Sequence, residues 1–328
     1  MSNLEASSAE FACAPGPADG IAVLTPRDVP LGGPRAMRVR RTLPQRDRSL
    51  IGAWCFVDHY GPQDLGRDGG MDVPPHPHTG LQTATWLFSG LVEHRDSAGV
   101  HALVRPGELN LMTAGAGICH SEVSVDPRSA PFLHGVQLWV ALPDSARFAG
   151  RDFNHFAPEA VSLPGGTVLV FLGELAGHRS PVPSFTPLLG AQVDLDPRSD
   201  LALDVDPAFE HGVLCDQGAV SLGGVTLGVG ELGYQGPGRT VLALRNAAGS
   251  PARVLLLGGV PFGEELVLWW NFIGRSHEEI VEFRRRWQDG DERFGEVRGY
   301  QGRLDRLPAP PLPPVRLRPR RPGGPQRP

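Results

Sequence analysis

The sequence predicts an all-β protein built from two domains and followed by a C-terminal helix. Short apolar runs are broken by Gly, Pro, Asp and Asn about every 8–15 residues, a rhythm typical of an antiparallel barrel or sandwich. A second series with the same rhythm follows a less regular stretch in mid-chain. The length of 328 residues exceeds the roughly 250–300 residues over which one hydrophobic core keeps growing, which favours two domains.

The first half is predicted to contain a leader, one β domain and a junction. Residues 1–20 are rich in Ala, Ser, Gly and Pro and predict a flexible leader. The first β domain is expected over residues 21–145, and the irregular residues 146–160 are expected to form the junction. The strand candidates of this domain are residues 37–40, 81–88, 103–105, 109–112, 118–123 and 136–141.

The second β domain is predicted over residues 161–302. Its strand candidates are residues 168–172, 191–195, 201–205, 219–225, 240–245 and 253–257. A helix is predicted over residues 276–288, because Ser276 and Glu279 have the spacing of a capping box and apolar residues then recur at helical intervals. Glu282 and Arg286 are spaced to pair on its exposed side. Residues 303–328 are rich in Pro and Arg and predict an extended tail that docks on the acidic body.

Composition excludes several classes of protein. There is no run of about 18 apolar residues and no basic-then-apolar N-terminus, so neither a membrane protein nor a signal peptide is expected and the predicted location is cytoplasmic. The four cysteines, Cys13, Cys55, Cys119 and Cys215, stand far apart, which predicts reduced thiols and no zinc cluster. The net charge of −5 gives no reason to expect direct nucleic-acid binding.

Two short pairs of metal-capable residues carry the main chemical prediction. His76 and His78 flank Pro77, and His120 and Glu122 flank Ser121. In an extended segment residues i and i+2 share one face, so each pair presents both of its side chains together. A proline also pushes the residue before it towards extended conformations. We therefore predict a metal site formed by His76, His78, His120 and Glu122.

The donor set leaves the metal and its role open. Three imidazoles and a carboxylate suit Fe(II), Mn(II), Ni(II), Cu(II) or Zn(II). An octahedral ion would keep two positions for substrate or dioxygen, whereas tetrahedral zinc would be closed and structural. The competing interpretation is that such pairs arise on exposed strands without a metal. Gly115 and Gly117 before His120 fit a close approach of backbone to a packed site.

The remaining candidates are predicted to lie outside this site. His59 is expected to serve a turn, and His134 could support the site indirectly. Isolated surface or capping roles are expected for six further histidines: His94, His101, His155, His178, His211 and His277. Cys119 should point away from His120 and be buried. No P-loop, Rossmann or GxSxG spacing is present.

A set of motifs in this order resembles the pirin family of the cupin superfamily. The motifs of the first half are HPHTG at 76–80, EHRDS at 93–97, RPG at 105–107, MTAG at 112–115, HSE at 120–122 and HGVQLWV at 134–140. They cover roughly residues 30–143. In the second half, WNFIGRSHEEI at 270–280 and PAPPLP at 308–313 are similar to bacterial pirins.

The resemblance implies a bicupin, with two antiparallel β-barrels of jelly-roll type, in which the N-terminal barrel binds one metal, usually Fe(II), and the C-terminal barrel is metal-free. The ligands it implies are His76, His78, His120 and Glu122. Gln82 stands where the general cupin pattern has an acid, but in pirins the acidic ligand comes from the HSE motif.

Two functions follow from the resemblance. One is a quercetin 2,3-dioxygenase, in which Glu122 acts as the base on a small aromatic, flavonol-type substrate. The other is a non-catalytic, iron-dependent redox sensor that binds a protein partner, either a transcription factor or a metabolic enzyme.

Overall fold

The computed structural model describes residues 20–31, 37–302 and 304–320. It contains two β domains, each formed by a seven-stranded and a four-stranded sheet, and the named strands pair antiparallel within the sheets. The predicted all-β, two-barrel architecture with a C-terminal helix is confirmed. Of the predicted leader, residues 1–19 lie outside the described residues, as do residues 303 and 321–328 of the tail.

The first barrel places a seven-stranded sheet, in the order β12-β9-β6-β11-β4-β3-β2, against a four-stranded sheet in the order β5-β10-β7-β8. The larger sheet is formed by β2 (Arg27–Pro30), β3 (Arg38–Leu43), β4 (Trp54–Asp64), β6 (Leu81–Ser89), β9 (Leu109–Thr113), β11 (Phe132–Ala141) and β12 (Asp152–Phe156). The smaller sheet is formed by β5 (Asp72–His78), β7 (Val92–Asp96), β8 (His101–Val104) and β10 (Ile118–Ser124). One helical turn, α1 (Leu65–Asp68), follows β4 and is capped by Asp64.

The second barrel repeats this arrangement. Its larger sheet, in the order β1-β22-β19-β24-β17-β14-β13, is formed by β1 (Ala22–Leu24), β13 (Ala160–Leu163), β14 (Gly166–Leu172), β17 (Leu188–Leu195), β19 (Glu210–Gln217), β22 (Leu232–Gln235) and β24 (Ala252–Gly259). Its smaller sheet is formed by β18 (Ser199–Asp204), β20 (Val220–Leu222), β21 (Val225–Leu227) and β23 (Val241–Asn246). A small ribbon joins β15 (Glu174–Leu175) and β16 (His178–Arg179).

The N-terminal strand crosses between the domains. β1 pairs with β22 and therefore extends the second barrel, although residues 21–145 were expected to belong to the first. The chain then enters the first barrel at β2. The N-terminal segment therefore links the two barrels through backbone hydrogen bonds, because it pairs first with the second barrel and then with the first.

The two larger sheets pack against each other, and the largest core lies between them. It joins Trp54 and Trp86 of the first barrel to Phe171, Leu214 and Leu255 of the second. The Trp54 indole donates to the carbonyl of Leu189 at 3.1 Å, and the Trp86 ring stacks on Phe171 at 4.6 Å between centroids. Strands at this contact are buried on both faces.

The C-terminal segment returns to the first barrel. The hairpin of β25 (Val267–Trp269) and β26 (Phe272–Gly274) leads into helix α2 (His277–Gln288). The apolar side chains of both elements pack around Cys119 of β10. The Ile273 amide donates to the carbonyl of Thr79 at 3.1 Å. The predicted helix is thus confirmed, but it covers the first barrel instead of the second, to which its sequence position assigned it.

The predicted contacts of the helix and tail are present in part. The Ser276 hydroxyl accepts from the Glu279 amide, whereas Glu279 itself accepts from the amide of Arg275, one residue before the position expected for a capping box. Glu282 pairs with Arg286 at 2.7 Å. The tail docks on the body through two bonds from the Arg316 guanidinium to the Glu278 carboxylate. No helix in the described ranges has the length and apolarity needed to span a membrane.

Candidate metal centre

The two predicted ligand pairs lie on neighbouring strands inside the first barrel. β5 and β10 pair antiparallel, with His76 opposite His120 and His78 opposite Ile118. A register shift between His120 and Glu122 moves the carboxylate out of simple alignment with β5. The side chains of all four residues are at most 1% exposed.

The three histidines form a compact group. The ring centroids of His76 and His120 are 4.3 Å apart, and those of His78 and His120 are 5.0 Å apart. The Nε2 atoms of His78 and His120 lie 3.1 Å from each other. One nitrogen from each of the three residues lies within 4.8 Å of the other two, so the group could hold one metal ion.

Backbone carbonyls orient two of the rings. His76 Nδ1 lies 2.8 Å from the carbonyl of Pro74, and His78 Nδ1 lies 3.2 Å from the carbonyl of Asn271. Both contacts favour the Nδ1–H tautomer and leave Nε2 with a lone pair directed at the group. His76 Nε2 is buried and has no hydrogen-bond partner among the described residues. A buried nitrogen with a free lone pair is available to bind a metal ion.

The electrostatics also fit a cation with neutral ligands. Burial holds the pKa of His76, His78 and His120 well below the ordinary histidine value. Each imidazole is therefore neutral at pH 7, the protonation state that binds metal. The Nε2 atoms of His78 and His120 face each other, as two nitrogen ligands of one cation would. The residues present thus fit a bound divalent metal.

Glu122 is grouped with His120 but not with His76 and His78. It forms a second group with His120 and His94, again with one ligand atom of each within 4.8 Å. His94 stands opposite Glu122 in the pairing of β7 with β10, and its Nδ1 is 3.4 Å from that of His120. His120 therefore belongs to both groups and links the three-histidine cluster to the carboxylate.

His94 is the site residue that sequence reasoning missed. It was expected to have a surface or capping role, but it is only 4% exposed. Its Nε2 lies 3.3 Å from the Asp96 carboxylate, which also accepts from the amides of Ala98 and Val100. The spacing of His94 and Asp96 is the same i, i+2 pattern that identified the other pairs. This spacing could therefore have identified His94 as a site residue from the sequence.

Polar side chains of the larger sheet face the same interior. The Thr85 hydroxyl donates to Gln137 Oε1 at 2.8 Å and lies 3.5 Å from a Glu122 oxygen. The Tyr60 hydroxyl and Gln137 Nε2 are buried and have no partner within the described part of the chain. The same holds for the indole nitrogen of Trp139, whose ring is 5.1 Å from that of His78. The interior therefore offers several unused hydrogen-bond donors.

Neighbouring positions agree with the expected layout. Gln82 bonds to Thr113 and shares a strand face with Trp86, which points at the second barrel. Cys119 is buried on the face of β10 opposite His120, as predicted. Gly115 has φ +51°, and a Cβ there would lie 1.9 Å from the carbonyl oxygen of Ala149. The backbone segment that precedes His120 is therefore closely packed against neighbouring backbone, as predicted.

Five of the other histidines divide into two sets. His101, His155 and His178 are exposed, as expected. His59 and His211 are buried at 0% and 1% exposure, contrary to the expected turn and surface roles. Both lie on strands of the two facing sheets, where burial on both faces removes the alternation that would have marked them.

The chain matches known sequence families over most of its length. The family described as Pirin matches residues 36–140, and that described as Pirin C-terminal cupin domain matches residues 190–295. A Pseudomonas aeruginosa protein named "Putative quercetin 2,3-dioxygenase" is 45% identical over 296 residues, covering 88% of this chain and 90% of that protein. A Caulobacter vibrioides "Pirin-like protein" is 36% identical and covers 77% of this chain and 88% of that protein.

A solved structure has the same fold. The crystal structure of a quercetin 2,3-dioxygenase from Acinetobacter baumannii aligns with a TM-score of 0.84 and 38% sequence identity, covering 91% of this chain and 97% of that one. The expected bicupin architecture is therefore confirmed. Together with the buried histidine group, these relatives imply a bound divalent metal.

Proposed function

The chain belongs to the pirin family, and from that premise we propose that it is an Fe(II)-dependent dioxygenase acting on a flavonol-type substrate. The relatives named as quercetin 2,3-dioxygenases support the reaction class, since they align over nearly the whole chain. The buried donors beside the histidine group support an aromatic substrate bearing several hydroxyl groups.

The proposed ligands are His76, His78, His120 and Glu122. The neutral imidazoles support this set, as does the acceptor left unused on His76. Glu122 would complete it, because one of its carboxylate oxygens already lies within 4.8 Å of a ring nitrogen of His120. When bound, iron would supply the redox chemistry that reaction with dioxygen requires, whereas Mn, Ni, Cu or Zn would fit the same donors.

The observation that carries the substrate class is the set of unused donors around the site. Tyr60, Gln137 and Trp139 each hold a buried N–H or O–H without a partner among the described residues. Leaving such a group unpaired costs about 1–3 kcal/mol. A flavonol offers hydroxyl and ketone oxygens to these donors and an aromatic face to the Trp139 indole. Binding of such a molecule would satisfy all three.

Glu122 is the proposed general base. Its carboxylate would accept the proton of the substrate 3-hydroxyl, and the nearby Thr85 hydroxyl would help to hold it in position. Enclosure of the site between the two sheets excludes water from the deprotonated substrate. The second barrel would serve as a scaffold without a metal of its own.

Oxygen uptake by iron-loaded protein with quercetin tests this proposal. We expect uptake matched by loss of quercetin absorbance, and a fall of at least about 100-fold in kcat for Glu122→Gln. Glu93→Gln is the matched control, because Glu93 lies on adjacent β7 but its carboxylate binds the surface residues Arg95 and His101. Iron-loaded protein that consumes no oxygen would refute the enzyme and leave the non-catalytic role, in which iron governs binding of a protein partner.

A further inference from the structure

A second cluster of metal-capable side chains lies between the two barrels. His59 on β4 and His134 on β11 come from the first barrel, and Asp216 on β19 comes from the second. Asp216 Oδ1 lies 2.7 Å from Nε2 of each histidine, and the two Nε2 atoms are 3.3 Å apart. Three potential ligand atoms therefore meet at one point across the interface.

The local backbone directs these side chains to that point. His59 alternates with Tyr60 along β4, so it faces the second barrel whereas Tyr60 faces the barrel interior. A register shift occurs at His134 on β11 and another at Asp216 on β19. Bulges of this kind re-aim a side chain and are frequent next to functional sites.

The cluster is buried except at one of its three members. The His59 and Asp216 side chains are fully buried, while that of His134 is 12% exposed. Phe88 packs against the His134 ring at 5.0 Å between centroids. Of the three side chains of the cluster, only that of His134 is therefore in contact with solvent.

The carboxylate is oriented by an arginine behind it. Arg253 Nη1 lies 3.3 Å from Asp216 Oδ2, which leaves Oδ1 for the histidines. The same guanidinium also binds Asp194, at 2.9 Å from its Nε, so two carboxylates share this positive charge. Metal-bound carboxylates commonly receive such a hydrogen bond from an outer residue.

One of the three spacings matches a tetrahedral ion, namely the 3.3 Å between the two Nε2 atoms, whereas the two 2.7 Å contacts of Asp216 are hydrogen-bond lengths. As a hydrogen-bonded set, two N–H donors would converge on a single oxygen with their nitrogens only 3.3 Å apart. Bonds of about 2.0–2.1 Å to zinc place ligand atoms about 3.3 Å apart, so a small outward shift of Asp216 would complete one face of a tetrahedron. We propose that His59, His134 and Asp216 form a second metal site, for a zinc-like divalent cation that joins the two barrels.

This site is separate from the first. It lies on the opposite face of β4 from the interior residues and shares no ligand with the group of His76, His78 and His120. Three protein ligands would leave a fourth position on a tetrahedral ion for water. Occupancy would link the barrels through side chains, in addition to the backbone link made by β1.

Zinc stoichiometry and location test the proposal. Full-length protein is freed of metal, loaded with Zn²⁺ and desalted, and zinc is then measured by mass spectrometry. We expect two equivalents for the wild type and one for either Asp216→Asn or His134→Ala. Asp194→Asn is the matched control and should keep two, because it removes a carboxylate from the same arginine without removing a ligand.

Diffraction data collected at the zinc absorption edge then locate the ions. An anomalous peak bounded by His59, His134 and Asp216 would support the proposal, whatever the first site does. The absence of a peak there, or unchanged zinc content in folded His134→Ala, would overturn it. The cluster would then be a hydrogen-bonded contact between barrels with no metal. His134→Ala is included as a second variant in case Asp216→Asn does not fold, because His134 is the partly exposed member of the cluster.

Discussion

Breaking the buried ion pair of Arg41 and Asp58 should be one of the most destabilising single changes in the first barrel. The Arg41 guanidinium makes two parallel bonds to the Asp58 carboxylate, at 2.7 and 2.8 Å, and the side chains are 1% and 0% exposed. Removing one member of such a pair leaves the other charge buried, at a cost of about 3–5 kcal/mol. We therefore expect Asp58→Ala to lower the free energy of unfolding by about that amount.

The pair also supports the candidate metal site. The Arg41 guanidinium lies over the Phe56 ring at 4.2 Å, and Phe56 stacks on Trp139 at 4.0 Å between centroids. The Trp139 ring in turn contacts the His78 imidazole. Asp58→Ala should therefore weaken metal retention as well as stability.

Urea unfolding of the metal-free protein measures the stability change. The double variant Arg41→Met with Asp58→Leu should lie within about 2 kcal/mol of the wild type, because replacing both charges by apolar groups removes the desolvation cost. Arg245→Met is the control, since its pair with Asp200 is exposed and 3.7 Å long. A loss below about 1 kcal/mol for Asp58→Ala, or a double variant less stable than either single variant, would refute this reasoning.

Three further predictions concern stability. Gly115→Ala should destabilise the protein far more than Gly99→Ala, because both glycines have positive φ but only Gly115 would drive its Cβ into a carbonyl oxygen; equal unfolding midpoints would contradict this. Ser276→Ala should cost about 1 kcal/mol by removing the helix cap, measured as a shift in urea midpoint, and an unchanged midpoint would show that the cap is dispensable. Burial lowers the pKa of His211 to about 4, so below pH 6.5 the unfolded chain binds a proton that the folded protein does not, and stability falls as pH drops. His211→Leu should therefore reduce the loss of stability between pH 7 and pH 5 by about 2 kcal/mol, and an identical pH dependence in both proteins would exclude this role.

The sequence predicted those features that depend on local pattern. The helix from His277 to Gln288 was recognisable because its cap and its apolar spacing lie within one short segment. The strand candidates at 201–205 and 240–245 likewise fall on β18 and β23, whose residues alternate between buried and exposed. The i, i+2 spacing of His76 with His78 brought both side chains to the same group of three histidines.

Features set by contacts between distant segments could not be read from local pattern. β4 has no alternation, because its two faces are buried against the barrel interior and the second barrel. β1 pairs with the second barrel, and the helix packs on the first. Both contacts require the chain to cross between the barrels, and such a crossing produces no periodic pattern in the sequence. His59 likewise gained its partner Asp216 only through tertiary pairing, whereas the i, i+2 spacing of His94 and Asp96 was a local signal.

Anomalous diffraction at the iron edge tests the central claim most directly. In crystals of iron-loaded protein, we predict a peak inside the first barrel about 2.0–2.2 Å from a nitrogen of each of His76, His78 and His120 and from an oxygen of Glu122. The peak should be lost in His76→Ala and strongly reduced in Glu122→Ala. Iron found outside this group, or held by it at wild-type occupancy without Glu122, would contradict the assignment.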